Sequence, residues 1–138
     1  MIKSRLVYLA GPIYEQDDMC IRWRDTAARL LKRKNIMSLK PTDSDYRGKE
    51  TYSGMAERIV RKDKGDIVYC DTILAKCDFP SYGTAMEIMF AWSLQKQIVV
   101  VTNSKSPWIQ FHADHIFLTL DEALKDFEFP DFDAGVSE

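Results

Sequence analysis

Cysteine is scarce in this chain. There are three, Cys20, Cys70 and Cys77, with no C-x-x-C spacing. An odd, scattered set supports neither a disulfide framework nor a zinc site, so reduced, mostly buried thiols and a cytoplasmic setting are expected, with no metal. Long apolar runs are missing as well: no stretch approaches the ~20 residues of a membrane-spanning helix. Charge of one sign is not in excess, with 19 basic against 21 acidic residues and a net charge of −2. That balance argues against broad nucleic-acid binding, which needs a basic face. The densest basic run, residues 29–34, alternates with leucines and reads as the solvated side of a helix. No internal repeat, low-complexity tract or linker is found, and Met1-Ile2-Lys3 leads straight into a strand with no signal-peptide pattern.

What is present is a folding composition. With 138 residues, 46% hydrophobic and 12% aromatic, the chain fits one domain over residues 1–138 with its own core. Strand and helix patterns alternate. Leu6-Val7-Tyr8-Leu9-Ala10 reads as a strand buried on both faces and ended by Gly11-Pro12; residues 19–34 follow as a helix closed by Asn35. Ile36-Met37-Ser38-Leu39 is a second strand, and residues 41–53 form a polar, turn-rich loop suited to a lid. Residues 55–69 predict a helix, 72–77 a strand entered through Asp71, 83–96 a helix and 98–102 the clearest strand. A short strand at 116–118 and a helix from Leu120, with Thr119 or Asp121 near its cap, complete the pattern. Repeated β-α units imply a parallel sheet flanked by helices, here of five strands. The tail, residues 128–138, is read as loose or as packing its aromatics on a neighbour.

The chemistry concentrates where the third strand turns into a helix, at Pro80-Ser81-Tyr82-Gly83-Thr84-Ala85-Met86-Glu87. Glu87 is a lone acid opening an apolar helix at the C-terminal end of a strand, where parallel α/β sheets bind ligands. Helix starts also receive anions, because their first amides lack partners in the helix. Gly11-Pro12-Ile13-Tyr14 and the 41–53 loop meet the same end of the sheet. Asp63, on the preceding helix, is a second acid. If it faces the same mouth, one carboxylate serves as nucleophile or electrostatic stabiliser and the other carries a proton, the division that glycosyl transfer requires. Ordinary structural roles for both acids are the competing reading.

Tyr8-Leu9-Ala10-Gly11-Pro12, Asp63 with Asp71 eight residues later, and Gly83-Thr84-Ala85-Met86-Glu87 together resemble the nucleoside 2-deoxyribosyltransferase superfamily, in order over roughly residues 5–125. The resemblance implies a three-layer, flavodoxin-like α/β fold and cleavage of an N-glycosidic bond without metal or cofactor. It also implies a homodimer or higher homo-oligomer with a shared active site. Glu87 matches the nucleophile that attacks the sugar C1′, Asp63 the acid that helps protonate the leaving base, and Tyr8 the hydroxyl that orients the glutamate. Asp71 reads better as a cap where the strand begins. Gly11, with Pro12 and Ile13, matches the backbone that approaches the ligand. Trp23 and Arg24 fall near base-recognition groups, with packing the alternative for Trp23. His112, after strand four, matches a region that reaches a neighbouring subunit's site.

Ser81 separates two branches of that superfamily. Transferases acting on free nucleosides carry an aspartate six residues before the glutamate. The Pro-Ser-x-Gly pattern resembles instead the nucleoside 5′-monophosphate N-glycosidases, in which the serine and nearby amides hold a 5′-phosphate. Ser81 with Gly83 and Thr84 at a helix start suits a dianion that an aspartate would repel. A plain N-cap is the alternative for Ser81, and the two roles are compatible. Three readings follow: hydrolase of a nucleoside monophosphate, transferase exchanging bases on deoxyribose, and non-catalytic nucleotide sensor.

Overall fold

The computed structural model describes residues 5–14 and 17–126. Its sheet comprises β1 (Arg5–Ala10), β2 (Ile36–Leu39), β3 (Thr72–Lys76), β4 (Gln97–Val101) and β5 (His115–Phe117). All neighbours run parallel, in the order β2-β1-β3-β4-β5. Helices α1 (Met19–Lys32), α2 (Met55–Tyr69), α3 (Tyr82–Ser93), α4 (Pro107–His112) and α5 (Leu120–Asp126) complete it. The strand order reverses between β1 and β3, which opens a crevice beyond their C-terminal ends.

The period-two alternation of the strands divides the core into two layers. Val7, Leu9, Leu74 and Val99 face α1 and α5, joining Trp23, Ala27, Leu31, Ala123 and Leu124. Tyr8, Ala10, Ile73, Ala75, Ile98 and Val100 face the other way, with Ile67 of α2 and Ile88 and Ala91 of α3. One residue of register thus assigns Tyr8 to the α2–α3 side and Leu9 to the α1 side. At the opposite end of the sheet from the crevice, two aspartates close the strand starts. Asp71 accepts the Leu6 amide at 2.9 Å and the Thr72 hydroxyl at 2.8 Å. Asp114 accepts the Ile98 amide at 2.8 Å. Asp71 is therefore the structural cap its position suggested.

The element boundaries differ from expectation at turns. Helix α3 ends at Ser93 rather than residue 96, because Gln95 adopts a left-handed φ of 61° and turns the chain into β4. Asn35, at the same φ, closes the turn after α1 as anticipated. Strands β4 and β5 begin one residue earlier than the apolar pattern suggested, and α4 lies in a segment not assigned as an element. Thr119 Oγ1 accepts the Glu122 amide at 3.1 Å and caps α5. Cys20 and Cys70 are buried, Cys77 is partly so, and all three are free. Among the described residues no helix is long and apolar enough to cross a membrane. The expectation for residues 128–138 lies outside the described residues.

Candidate active site

Beyond the C-terminal ends of β1 and β3 lies a cavity of about 730 Å³, within the range of small-molecule sites. Gly11 and Ile13 contribute from the turn after β1, Asp63 from α2, and Ser81, Gly83, Thr84 and Glu87 from the start of α3. With the 41–53 loop after β2, three strand ends supply one mouth, as the sequence pattern implied.

Glu87 occupies the second turn of α3, and its Oε2 accepts a short hydrogen bond from the buried Tyr8 hydroxyl. Burial raises the Glu87 carboxyl to about 7; the Tyr8 bond pulls it down, the Asp63 charge pushes it up, and Arg24 pulls it down. Tyr8 is held far above its ordinary range, by burial first and then by the charges of Glu87 and Asp63, so it stays a donor. Asp63 is raised to about 6, again chiefly by burial, with Lys62 opposing and Asp66 adding. The order differs from a simple division in which Asp63 alone keeps a proton. Between these values the two carboxyls together carry one proton. Such a pair, one member ionised and one protonated, can attack an electrophilic carbon and protonate a leaving group.

Ser81 is the N-cap of α3, its Oγ accepting the Thr84 amide at a long 3.4 Å and lying 3.3 Å from Thr84 Oγ1. It is also a cavity-lining residue, so capping does not remove it from the mouth. The first amides of α3 have no acceptor within the helix, as at any helix start. Gly83 stands in open space: a Cβ added there would meet nothing within 4 Å.

Gly11 has a sharper reason than ligand approach to be glycine. A Cβ there would sit 2.9 Å from the Lys76 carbonyl oxygen and 3.1 Å from Trp23 Cζ2. The residue lets the β1 and β3 strand ends come together. Pro12 is buried beside it and does not line the cavity.

Trp23, Arg24 and His112 are not among the cavity's lining residues. Trp23 belongs to the core layer under α1, on the sheet face opposite Tyr8, so its ring packs rather than stacking on a ligand in this chain. Arg24 is fully buried and donates to three backbone carbonyls. His112 lies on α4, with Nδ1 2.7 Å from the Trp108 carbonyl and its ring packed among Trp92, Trp108 and Phe111.

The structure adds walls the sequence reading did not name. Ile59 and Val60 line the cavity from α2, and Met86, Met89 and Phe90 line it from α3. Ile59, Val60 and Phe90 each stand three or four residues from an acid, which was the available signal. In the 41–53 loop, Tyr46 and Arg47 line the cavity. Arg47 ties that loop to the start of α1 by an ion pair to Asp18 (2.9 Å) and pairs within the loop with Asp45 (2.8 Å). No local pattern singles it out, since its partner Asp18 lies 29 residues away.

Among curated proteins no sequence matches this chain. Among solved structures, the chain is similar to a 2-desoxiribosyltransferase from Leishmania mexicana, at 27% identity and a TM-score of 0.59, covering 78% of this chain and 70% of that one. A 2-deoxyribosyltransferase from Bacillus psychrosaccharolyticus shares the fold at 16% identity and TM-score 0.72, over 90% and 93% of the two chains. A conserved protein from Enterococcus faecalis V583 does so at 17% and 0.69, over 88% and 96%. The family model for nucleoside 2-deoxyribosyltransferases matches residues 7–133, a span that holds the β1 strand end, both acids and the α3 turn, and the chain belongs to that family.

Proposed function

We propose that the protein cleaves the N-glycosidic bond of a nucleoside 5′-monophosphate, releasing the base and ribose 5-phosphate or its deoxy form. The observation that carries the reading is Glu87, held by Tyr8 at the cavity floor, beneath a helix start whose mouth presents Ser81 and no carboxylate in its place. The ionised Glu87 attacks C1′ as the C1′–N bond breaks. The bonding pair leaves with the base, which takes the proton held on Asp63. Water then attacks C1′ of the glycosyl ester, yielding the 5-phosphate sugar, restoring the Glu87 carboxylate and returning a proton to Asp63. The open start of α3, with Ser81, Gly83 and Thr84, suits the substrate's phosphate.

The second reading is base exchange on deoxyribose, in which an acceptor base rather than water resolves the same ester. The 27% identity to the Leishmania mexicana enzyme favours it. A non-catalytic sensor is disfavoured, because binding alone gives no reason to gather two acids with raised pKa values in one cavity. A homo-oligomer with a shared site belongs to the same proposal. Met86 and Met89 line the cavity yet are exposed, continuing toward Trp92 on α3 and the exposed Trp108 and Phe111 on α4. His112 would then act on a neighbour's ligand.

The test is chromatographic detection of free base from a panel of ribo- and deoxyribonucleoside 5′-monophosphates and the matching nucleosides, each with and without a second base. Release from monophosphates without an acceptor is expected. Exchange confined to unphosphorylated deoxynucleosides with an acceptor would establish the transferase reading instead.

A further inference from the structure

Among the described residues, Arg24 is the one cation buried completely. It is wholly inaccessible. Its Nε donates to the Leu9 carbonyl at 3.0 Å, Nη2 to the Gly11 carbonyl at 2.7 Å, and Nη1 to the Cys20 carbonyl at 2.7 Å. Among the described residues no carboxylate lies within ion-pair distance of it. A charge taken out of water without an ion-pair partner is costly, and three carbonyl acceptors offset only part of that cost. An apolar residue would fill the volume under α1 more cheaply, so stability alone gives no reason for an arginine here.

The placement supplies a reason. Leu9 and Gly11 bracket Ala10, the last residue of β1. Clamping both carbonyls to α1 fixes the strand end that carries Tyr8 on one side and the cavity-lining Gly11 and Ile13 on the other. Only a planar fork spans two separated carbonyls and a third on its own helix at once; a lysine ammonium is a point donor. The guanidinium is further seated on the Trp23 ring, 4.8 Å from its centroid. The Cβ-free Gly11 lets that layer close, a Cβ there lying 3.1 Å from Trp23 Cζ2.

We propose that Arg24 is a positioning residue for the reaction. It holds the Tyr8–Glu87 pair in register through the β1 strand end, without contacting substrate. This rests on the roles proposed above for the two acids. The groups facing Glu87 are Tyr8 from β1, Arg24 from α1, Asp63 from α2 and Cys77 just after β3. Those facing Arg24 are Glu87, Tyr8, Cys20 and Asp63, and Lys76 lies across the Trp23 ring. Facing Asp63 are Lys62 and Asp66 on its own helix, with Arg24, Glu87 and Tyr8. Its charge acts in the favourable direction as well: Arg24 lowers the pKa of both acids.

Two variants separate fork from charge. Arg24→Lys keeps the charge and loses the fork; Arg24→Gln loses both. In Arg24→Lys, kcat/KM should fall about 10–100-fold through kcat, with KM and the pH optimum little changed. In Arg24→Gln the optimum should also move upward by about half to one pH unit, because both carboxyls lose a stabilising cation. Carbon-13 NMR titration of the Glu87 carboxyl in both variants reads the same shift without substrate. It therefore stands apart from the glycosidase reading, whose own failure would show as undiminished turnover in Glu87→Gln. Full kcat/KM in Arg24→Lys overturns the proposal. So does a Glu87 carboxyl displaced as far in Arg24→Lys as in Arg24→Gln. Should Arg24→Gln not fold, Arg24→Lys decides alone: a Glu87 shift beyond about half a unit with the charge retained overturns it.

Discussion

The Tyr8 hydroxyl donates to the Glu87 carboxylate across 79 residues of sequence, joining the middle of β1 to the second turn of α3. The bond exists because Tyr8 occupies the register position of β1 that faces α2 and α3, while its neighbours Val7 and Leu9 face α1. It supplies a direct hydrogen bond that favours the ionised form of a carboxyl whose burial favours the protonated one.

Removing that hydroxyl isolates its contribution. Tyr8→Phe should raise the Glu87 pKa further and, because Glu87 holds the higher of the two values, move the alkaline inflection of kcat/KM to higher pH. At neutral pH kcat should drop about 10–100-fold, with KM little altered. Stopped assays from acid to alkaline pH measure it; an unmoved alkaline inflection with undiminished kcat would show that the hydroxyl does not orient or ionise Glu87.

The paired carboxyls predict a bell-shaped profile. Ionising Glu87 is required for attack and protonating Asp63 for departure, and with values of about 7 and about 6 the singly protonated pair peaks between them. Stability should run the other way. Both folded-state values are raised, so the native protein binds more protons than the unfolded chain between about pH 4 and 7, and stability falls as pH rises through that window. Denaturant melts should show about 1–3 kcal/mol less stability at about pH 8 than at about pH 5, discounted for the solvent reaching Asp63. Glu87→Gln should abolish turnover by at least about 10³-fold and lessen this slope.

Asp63→Asn tests the acid role through the leaving group. The loss should be largest for bases that leave poorly and small for an activated aryl leaving group. Equal losses for both, measured as kcat/KM, would assign Asp63 to the electrostatics of Glu87 rather than to proton delivery.

Ser81→Ala should cost about 1 kcal/mol or less of stability, because the cap bond it removes is already long at 3.4 Å. Monophosphate use should weaken by about 1–3 kcal/mol, roughly 5–150-fold in kcat/KM, while a free nucleoside is nearly unaffected. Equal loss on both substrates would reduce Ser81 to its capping function.

Gly11→Ala places a methyl 2.9 Å from a main-chain carbonyl, Lys76 O, which has little room to move between β1 and β3. Overpacking of this kind costs about 1–3 kcal/mol. A fall in Tm of about 3–12 °C is expected by calorimetry; an unchanged Tm would mean that the strand ends separate without penalty.

Architecture and the chemistry-bearing turn were legible in the chain itself. Strand patterns of apolar residues, Asn35 as a helix stop and Ser81 ahead of Glu87 are local signals, because propensity, capping and period are decided within a few residues. The three segments that meet at the crevice were legible for the same reason, since a β-α repeat dictates which strand ends lie together. Which side chains point into that crevice was settled by packing between distant elements. Trp23 and Arg24 stand next to each other in α1, close to candidate base-recognition positions, yet α1 covers the far face of the sheet, so one packs and the other clamps carbonyls. Arg47 enters the cavity wall through Asp18, 29 residues away, by a contact that no spacing encodes. The raised carboxyls are likewise tertiary: burial dominates both shifts, and burial is a property of what packs around a group, not of the residues beside it in the chain.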